Sequence, residues 1–255
     1  TLYFDQDGKQ VKGKIVTLAD KSIRYFDANS GEMAVGKFAE GSKNEWYYFD
    51  QAGKAVTGLQ KIGQQTLYFD QDGKQVKGKV VTLADKTIRY FDANSGEMAV
   101  GKFAEGAKNE WYYFDQAGKA VTGLQKIGQQ TLYFDQNGKQ VKGQLVTLAD
   151  KSIRYFDANS GEMAANKFVE GAKNEWYYFD QAGKAVTGLQ QIGQQTLYFD
   201  QNGKQVKGKI VYVNGANRYF DANSGEMARN KWIQLEDGSW MYFDRNGRGR
   251  RFGWN

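Results

Sequence analysis

Cysteine, histidine and proline are all absent from this chain of 255 residues. Without cysteine there are no disulfides and no thiolate metal ligands, and without histidine the commonest general base and metal ligand is missing too. Catalysis and metal binding lose their usual parts, so neither a catalytic residue, a metal nor a cofactor is expected. The lack of proline suits strands whose amides all donate to ladders. No apolar run reaches the roughly 18 residues of a membrane-crossing helix, so membrane insertion is not expected. Nothing sustains a period of 3.6, which predicts little helix. There is no signal peptide and the chain starts at Thr1 in mid-register, so it reads as an excised fragment. What is present is aromatic: aromatics form 15% of the residues within an apolar total of 40%, a composition for many thin cores.

The net charge of +6 admits contact with nucleic acid or anionic polymers. The lysines argue against nucleic acid, because most sit at fixed places in each unit beside Asp and Glu instead of gathering on one face. Only Arg245 to Arg251 forms a basic run.

The stretch Thr66 to Gly78, TLYFDQDGKQVKG, returns with one or no changes at Thr1, Thr131 and Thr196, a period of 65 residues. The triplet YFD occurs twelve times, with tyrosines from Tyr3 to Tyr242. Units of roughly 20 residues are too small to bury their own apolar face and must stack on neighbours. The expected fold is all-β, a β-solenoid of about twelve stacked β-hairpins. It forms one array over 1–255, with cycles at about 1–65, 66–130, 131–195 and 196–255.

In each opening hairpin TLYFD is a strand, DQDG a turn and KQVKG the returning strand. Alternation then puts Leu2, Phe4 and Val11 on the core face and Thr1, Tyr3, Gln10 and Lys12 outside. The other two hairpins of the cycle carry Met33 and Val35, or Ala55 and Thr57, where the first has Gln and Lys. Gly36 and Gly101 are matched by Asn166 and Asn230, which predicts a positive φ there. The exchange of Asp72 for Asn137 and Asn202 reads as two residues equally tolerant of left-handed backbone. The fourth cycle departs at Ile210 to Asn217, and the Arg-rich hairpin with Trp240 and Trp254 reads as an end cap.

Three features carry chemistry. The first is Tyr68 with Gln75 and Lys77, repeated as Tyr133, Gln140, Lys142, as Tyr198, Gln205, Lys207 and as Tyr3, Gln10, Lys12. A ring that stacks a hexose, an amide that donates and accepts, and an ammonium that donates together suit a sugar. The second is the pair Trp46 and Tyr48 with its repeats, read as packing between hairpins. The third is the Asp of YFD, such as Asp70 or Asp115, with Glu45 or Glu110. A glycosidase needs two carboxylates at set separation, one of them protonated, whereas an Asp before a turn Gly is explained by bonding to the turn backbone. The DQDG turn lacks the oxygen-rich ligand set of a calcium loop.

WYYFDQAGKAVTG and its kin resemble the choline-binding, cell-wall-binding type of hairpin repeat found in Gram-positive surface proteins. The full cycle with TLYFDQDGKQVKG resembles, over the whole chain, the C-terminal glucan-binding region of streptococcal glucosyltransferases, the glucansucrases that build glucans from sucrose. The resemblance implies roughly three hairpins per superhelical turn and pockets made of an aromatic with the Gln and Lys of a QxK motif. It implies a non-catalytic, secreted, surface- or wall-associated monomer that binds α-glucan (dextran, isomaltooligosaccharides). The alternatives are a choline- or wall-polymer-binding anchor and a structural spacer. Lys14, Lys37 and Leu59 stand where choline-binding relatives place Trp, which favours sugar over an ammonium cage.

Overall fold

The computed structural model describes residues 1–107 and 109–251; Trp254 of the expected end cap lies outside them. Three kinds of hairpin alternate. A hairpins pair Lys14–Thr17 with Ile23–Phe26 and recur from Lys79, Gln144 and Lys209. B hairpins pair Lys37–Glu40 with Trp46–Phe49 and recur from Lys102, Lys167 and Lys231. C hairpins pair Gly58–Ile62 with Gln65–Phe69 and recur from Gly123 and Gly188. The last B hairpin adds a third strand, Gly249–Arg251. These make eleven separate sheets among the described residues, with a single short 3-10 turn at Ala172–Asn174 as the helical content. The protein is an all-β solenoid of stacked hairpins. By compactness it divides into two units, Thr1–Gly123 with Phe134–Gln140, and Leu124–Tyr133 with Val141–Asn255.

One expectation is corrected. From Tyr25 to Tyr219 the main partner of each YFD strand precedes it, and the segment after the turn meets it at one bridge only, such as Phe26↔Met33 or Phe69↔Gln75; at Tyr242 the segment after the turn pairs as the strand Gly249–Arg251. Hydrogen bonding explains this. Val76 N–H returns to the Tyr68 carbonyl at 2.8 Å, but Gln75 N–H donates to the Trp46 carbonyl of the preceding hairpin at 2.7 Å. The returning segment therefore crosses to its neighbour instead of prolonging its own ladder. The same link recurs as Met33 N–H to Thr1 and Ala55 N–H to Ile23, both at 2.9 Å.

Alternation along WYYF and QTLYF turns Tyr47, Phe49, Leu67 and Phe69 inward, and all four are buried. The Phe of every YFD from Phe26 to Phe243 is at most 2% exposed, each worth roughly 2–3 kcal/mol of transfer free energy as an upper bound. Leu2 and Phe4, expected in the core, are 48% and 54% exposed: Phe4 lies in no paired strand and meets Gln10 at a single bridge.

Gly36 and Gly101 have φ of 59° and 61°, and Asn166 and Asn230 take 51° and 50°, as expected. Asp72, Asn137 and Asn202 do not have positive φ; the following Gly73 carries it at 75°. Their tolerance has another source, since the amide of residue 72 bonds Asp70 Oδ1 at 3.0 Å and that of 137 bonds Asp135 Oδ1 at 2.8 Å.

Arg89, Arg154 and Arg218 are buried. Each guanidinium donates to a carbonyl of the next B turn, from Ala117, Ala182 and Asn246 respectively. Nε of Arg89 and Arg154 also donates to Thr87 Oγ1 at 3.4 Å and Ser152 Oγ at 3.2 Å. Ala216 occupies that place before Arg218, whose Nε is buried without a partner. Ala216→Ser should therefore raise stability by about 0.5–1.5 kcal/mol, read as a higher unfolding temperature.

The turn amides of Ser30 and Asn29 hold the Asp27 carboxyl below its ordinary value of 3.8, and equivalent amides do so at Asp92, Asp157 and Asp221. Unfolding returns these groups toward 3.8. Their contribution is thus complete above that value and is lost as pH falls through the lower folded values. Far-ultraviolet dichroism should keep its native form down to about pH 4 and decay only below it.

Candidate functional site

The QxK segments Gln75–Lys77 and Gln205–Lys207 each lie between a B hairpin behind and an A hairpin ahead. Their backbone is tied backward, as shown, and their side chains reach forward. Gln75 Nε2 donates to the Ser95 carbonyl at 3.2 Å and Lys77 Nζ to the Asn94 carbonyl at 3.1 Å. Gln10 and Lys12 do the same to Ser30 and Asn29 at 3.4 and 2.9 Å. Gln205 and Lys207 do so to Ser224 and Asn223 at 3.2 and 3.0 Å, and Lys142 bonds the Asn159 carbonyl at 3.0 Å. The approach is so close that a Cβ at Gly96 would lie 2.3 Å from Gln75 Nε2. Each bond uses one of two amide hydrogens or one of three ammonium hydrogens. The remainder, with the amide oxygen, is available to a ligand at the half-buried Gln75, Lys77, Gln205 and Lys207.

The tyrosines are engaged from one side. Tyr68 stacks on Phe91 of the next hairpin with ring centroids 5.4 Å apart; Tyr3, Tyr133 and Tyr198 stack on Phe26, Phe156 and Phe220 at 5.3, 5.4 and 5.5 Å. Gln140 belongs to the first compact unit and Tyr133 and Lys142 to the second.

In the second unit Gln205 and Lys207 line a cleft of about 290 Å³ with Asn174, Glu175, Trp176, Asp200 and Lys204. The ring in it is Trp176 of the preceding B hairpin; Tyr198 is outside the lining. Lys207 Nζ stands 5.9 Å from the Trp176 ring centroid, and Gln205 N–H bonds the Trp176 carbonyl at 2.7 Å. Lys204 Nζ is held by Glu175 at 2.7 Å, which raises the lysine's pKa. In the first unit Trp46 sits likewise against Gln75 through the backbone, with Lys74 on Glu45 at 2.8 Å. Hydrogen bonding within that pair lowers the Glu45 carboxyl and raises Lys74. For Gln10 and Lys12 the chain supplies no such tryptophan. A larger cleft, of about 500 Å³, has a floor of Ile210, Tyr219 and Leu235 and a rim that includes Lys209, Glu236 and Asp237.

Trp46 and Trp111 are 38% and 39% exposed, which corrects the expectation that they pack between hairpins. The strand alternation gives the inward places to Tyr47 and Phe49, and leaves Trp46 and Tyr48 outside. Tyr48 meets Phe38 edge-on at 4.9 Å. The signal for tryptophan as the cleft ring lay in the recurrence of Glu-Trp 29 residues before Lys-Gln, which joins Glu45 to Lys74 and Trp46 to Gln75.

The carboxylates of Asp70, Asp115 and Glu110 are committed to structure. Asp70 Oδ1 accepts the amides of Asp72 and Lys74 at 3.0 and 2.9 Å. Asp115 Oδ1 accepts those of Ala117 and Lys119 at 2.9 and 2.8 Å. Glu110 is paired with Lys139 at 2.6 Å. Among the described residues no group of three or more acidic side chains is placed to hold a metal ion. Tyr198→Ala, which strips one ring from Phe220, should cost on the order of 1–3 kcal/mol in urea unfolding.

A family model described as a choline-binding repeat matches residues 1–38, 56–103, 121–168 and 186–232. A second, described as a putative cell wall binding repeat, matches 41–55, 107–120, 166–185 and 230–248. Over 253 residues the chain is 48% identical to Glucosyltransferase-S of Streptococcus mutans serotype c, covering 99% of this chain and 17% of that protein. It is 39% identical to Glucosyltransferase-I of Streptococcus downei, covering 96% and 18%. The chain thus spans about a sixth of the length of these relatives. Among solved structures, the modular autolysin LytC of Streptococcus pneumoniae superposes with a TM-score of 0.68 at 16% identity, covering 94% of this chain and 53% of that one. CbpJ of Streptococcus pneumoniae TIGR4 gives 0.66 at 24%, covering 98% and 96%. These superpositions support the hairpin solenoid. The chain belongs to the choline-binding repeat family and is a non-catalytic repeat module.

Proposed function

We propose, starting from that membership, that the chain is the glucan-binding region of a secreted glucosyltransferase and holds α-linked glucan at several clefts at once. The observation that carries the reading is the cleft where Trp176 supplies a ring, Gln205 a spare N–H and an amide oxygen, and Lys207 spare N–H groups. That is the set a hexose uses: a CH face for stacking and hydroxyls for a few placed donors and acceptors. The names of the relatives point the same way, and an extracellular, wall-associated location goes with them. In the first unit the same set is built from Trp46, Gln75 and Lys77. The tyrosines Tyr68 and Tyr198 then serve these two sites by fixing the A hairpin whose turn anchors Gln and Lys.

A second reading, a wall-polymer or choline anchor, is favoured by the exposed outer face of the B hairpins, where Phe38, Tyr48 and Trp46 offer rings to a quaternary ammonium. Retention on immobilised dextran against a choline resin, each with free competitor, separates the two. Elution by isomaltooligosaccharide and not by choline is expected; the reverse overturns the glucan reading.

Replacing Gln75 with Lys77, and Gln205 with Lys207, by Ala in the full chain should lower affinity for long dextran far more steeply than in proportion to sites lost. Linked sites raise avidity by something like a hundredfold when one polymer spans them. Short isomaltooligosaccharides should lose only the capacity of the altered clefts, read by calorimetry. Equal dextran affinity in the folded double-cleft variant would move the site elsewhere.

A further inference from the structure

The terminal sheet differs from every other B hairpin in one respect that changes its chemistry. Its three strands bring Trp232, Tyr242 and Arg250 into one cross-strand row, Trp232 opposite Tyr242 and Tyr242 opposite Arg250. Earlier B hairpins have Phe38 opposite Tyr48 and Val56 as the residue whose N–H returns to Tyr48. The last copy thus replaces Phe by the larger Trp and Val by Arg. The two rings lie 5.3 Å apart at 53°, and Trp232 and Trp240 are 49% and 52% exposed. Trp240 shares the outer face with Tyr242, two residues along the strand. Adjacent strands stand roughly 5 Å apart, so the row is about 10 Å wide from Trp232 to Arg250, room for one sugar ring beside one anionic group.

The positive charge around the row exceeds what its acids offset, although Asp244 interacts electrostatically with Arg250 and Arg248. Residues 245–251 hold four arginines and no acid. Asp244, the carboxylate beside Arg250, is spent on the turn, where its Oδ1 accepts the amides of Asn246 and Arg248 at 2.8 and 3.0 Å. Asp237 pairs with Arg251 at 3.6 Å, and Arg251, opposite Met241, projects to the other face. Arg245, Arg248 and Arg250 are exposed. A guanidinium beside an aromatic pair repels a quaternary ammonium and attracts a phosphate, which it can meet with two parallel hydrogen bonds.

We propose that this outer face is a second, chemically distinct binding site, for a saccharide polymer that bears phosphate groups, with the sugar on Trp232 and Tyr242 and the phosphate on Arg250 and Arg248. It is separate from the interhairpin clefts and stands whether or not those take glucan.

The test compares phosphorylated dextran with plain dextran of equal length on the full chain. The wild type should bind the phosphorylated polymer roughly tenfold more tightly at low salt, a gain that shrinks as salt screens it. Arg248→Gln with Arg250→Gln should abolish the gain and leave plain-dextran binding unchanged. Lys61→Gln with Lys126→Gln removes the same charge elsewhere and should keep it, as should Lys207→Ala in the neutral-glucan cleft. Trp232→Ala, if folded by dichroism, should weaken the phosphorylated polymer specifically. No gain in the wild type, or equal loss in the arginine and lysine variants, overturns the proposal and leaves only the diffuse attraction of a basic chain. Loss of plain-dextran binding in the Lys207 variant bears on the clefts alone.

Discussion

One backbone hydrogen bond makes the array: from Gly31 to Gly225, the N–H two residues after the Gly of each YFD turn donates to a carbonyl of the preceding unit, as Gln75 does to Trp46 at 2.7 Å. A two-stranded hairpin is marginal by itself. Once its trailing segment is fastened to its neighbour, the Phe of YFD is enclosed from both sides and becomes fully buried. Phe4, which meets Gln10 at a single bridge and lies in no paired strand, is more than half exposed. Burial of the aromatic core is thus a consequence of the link, and the turn geometry exists to deliver it. Asp bonds the turn amides, Gly takes positive φ, and the amide that must cross is left free to do so.

The residue that makes this link also decides what each junction does. Met33, Ala55 and Gln75 occupy the same slot, and each packs against the turn glycine of the next hairpin: a Cβ at Gly53 would lie 2.7 Å from Met33 Cε, one at Gly73 3.0 Å from Ala55 Cβ, and one at Gly96 2.3 Å from Gln75 Nε2. The stacking tolerates three unlike side chains because it needs only one that fills the space above a glycine. Two are apolar and close the junction. Gln brings hydrogen-bonding capacity beyond what the junction consumes, so chemistry is confined to one junction in three without any change of fold.

Local features were legible in the sequence and non-local ones were not. The positive φ shared by Gly36 and Asn166, the role of the YFD aspartates and the polar character of the Gln75–Lys77 slot follow from neighbours a few residues away. The sequence pattern pairs YFD with the segment after its turn and the structure pairs it with the strand before, because DQDG satisfies a hairpin pattern equally well from either direction. Arg89 looks like a solvent-facing strand residue, and its burial depends on the carbonyl of Ala117, 28 residues on. Likewise Trp46 and Gln75 carry no local sign that they meet. In a repeat array such pairings lie one unit apart, which is farther than a strand or turn pattern reaches.

The electrostatics of the clefts bear on what they exclude. Lys74, Lys139 and Lys204 are each neutralised by a glutamate of the preceding hairpin, at 2.6–2.8 Å, so the charge left to act is that of Lys77, Lys142 and Lys207. A single ammonium over or near an indole takes the place on the ring that a quaternary ammonium ligand would need, and repels it at close range. A neutral sugar meets neither obstacle, because it stacks by its CH face and accepts from the same ammonium. The lysine of the slot, which also anchors the next turn through the Asn94 or Asn223 carbonyl, therefore separates the glucan reading from the ammonium reading more sharply than the ring does.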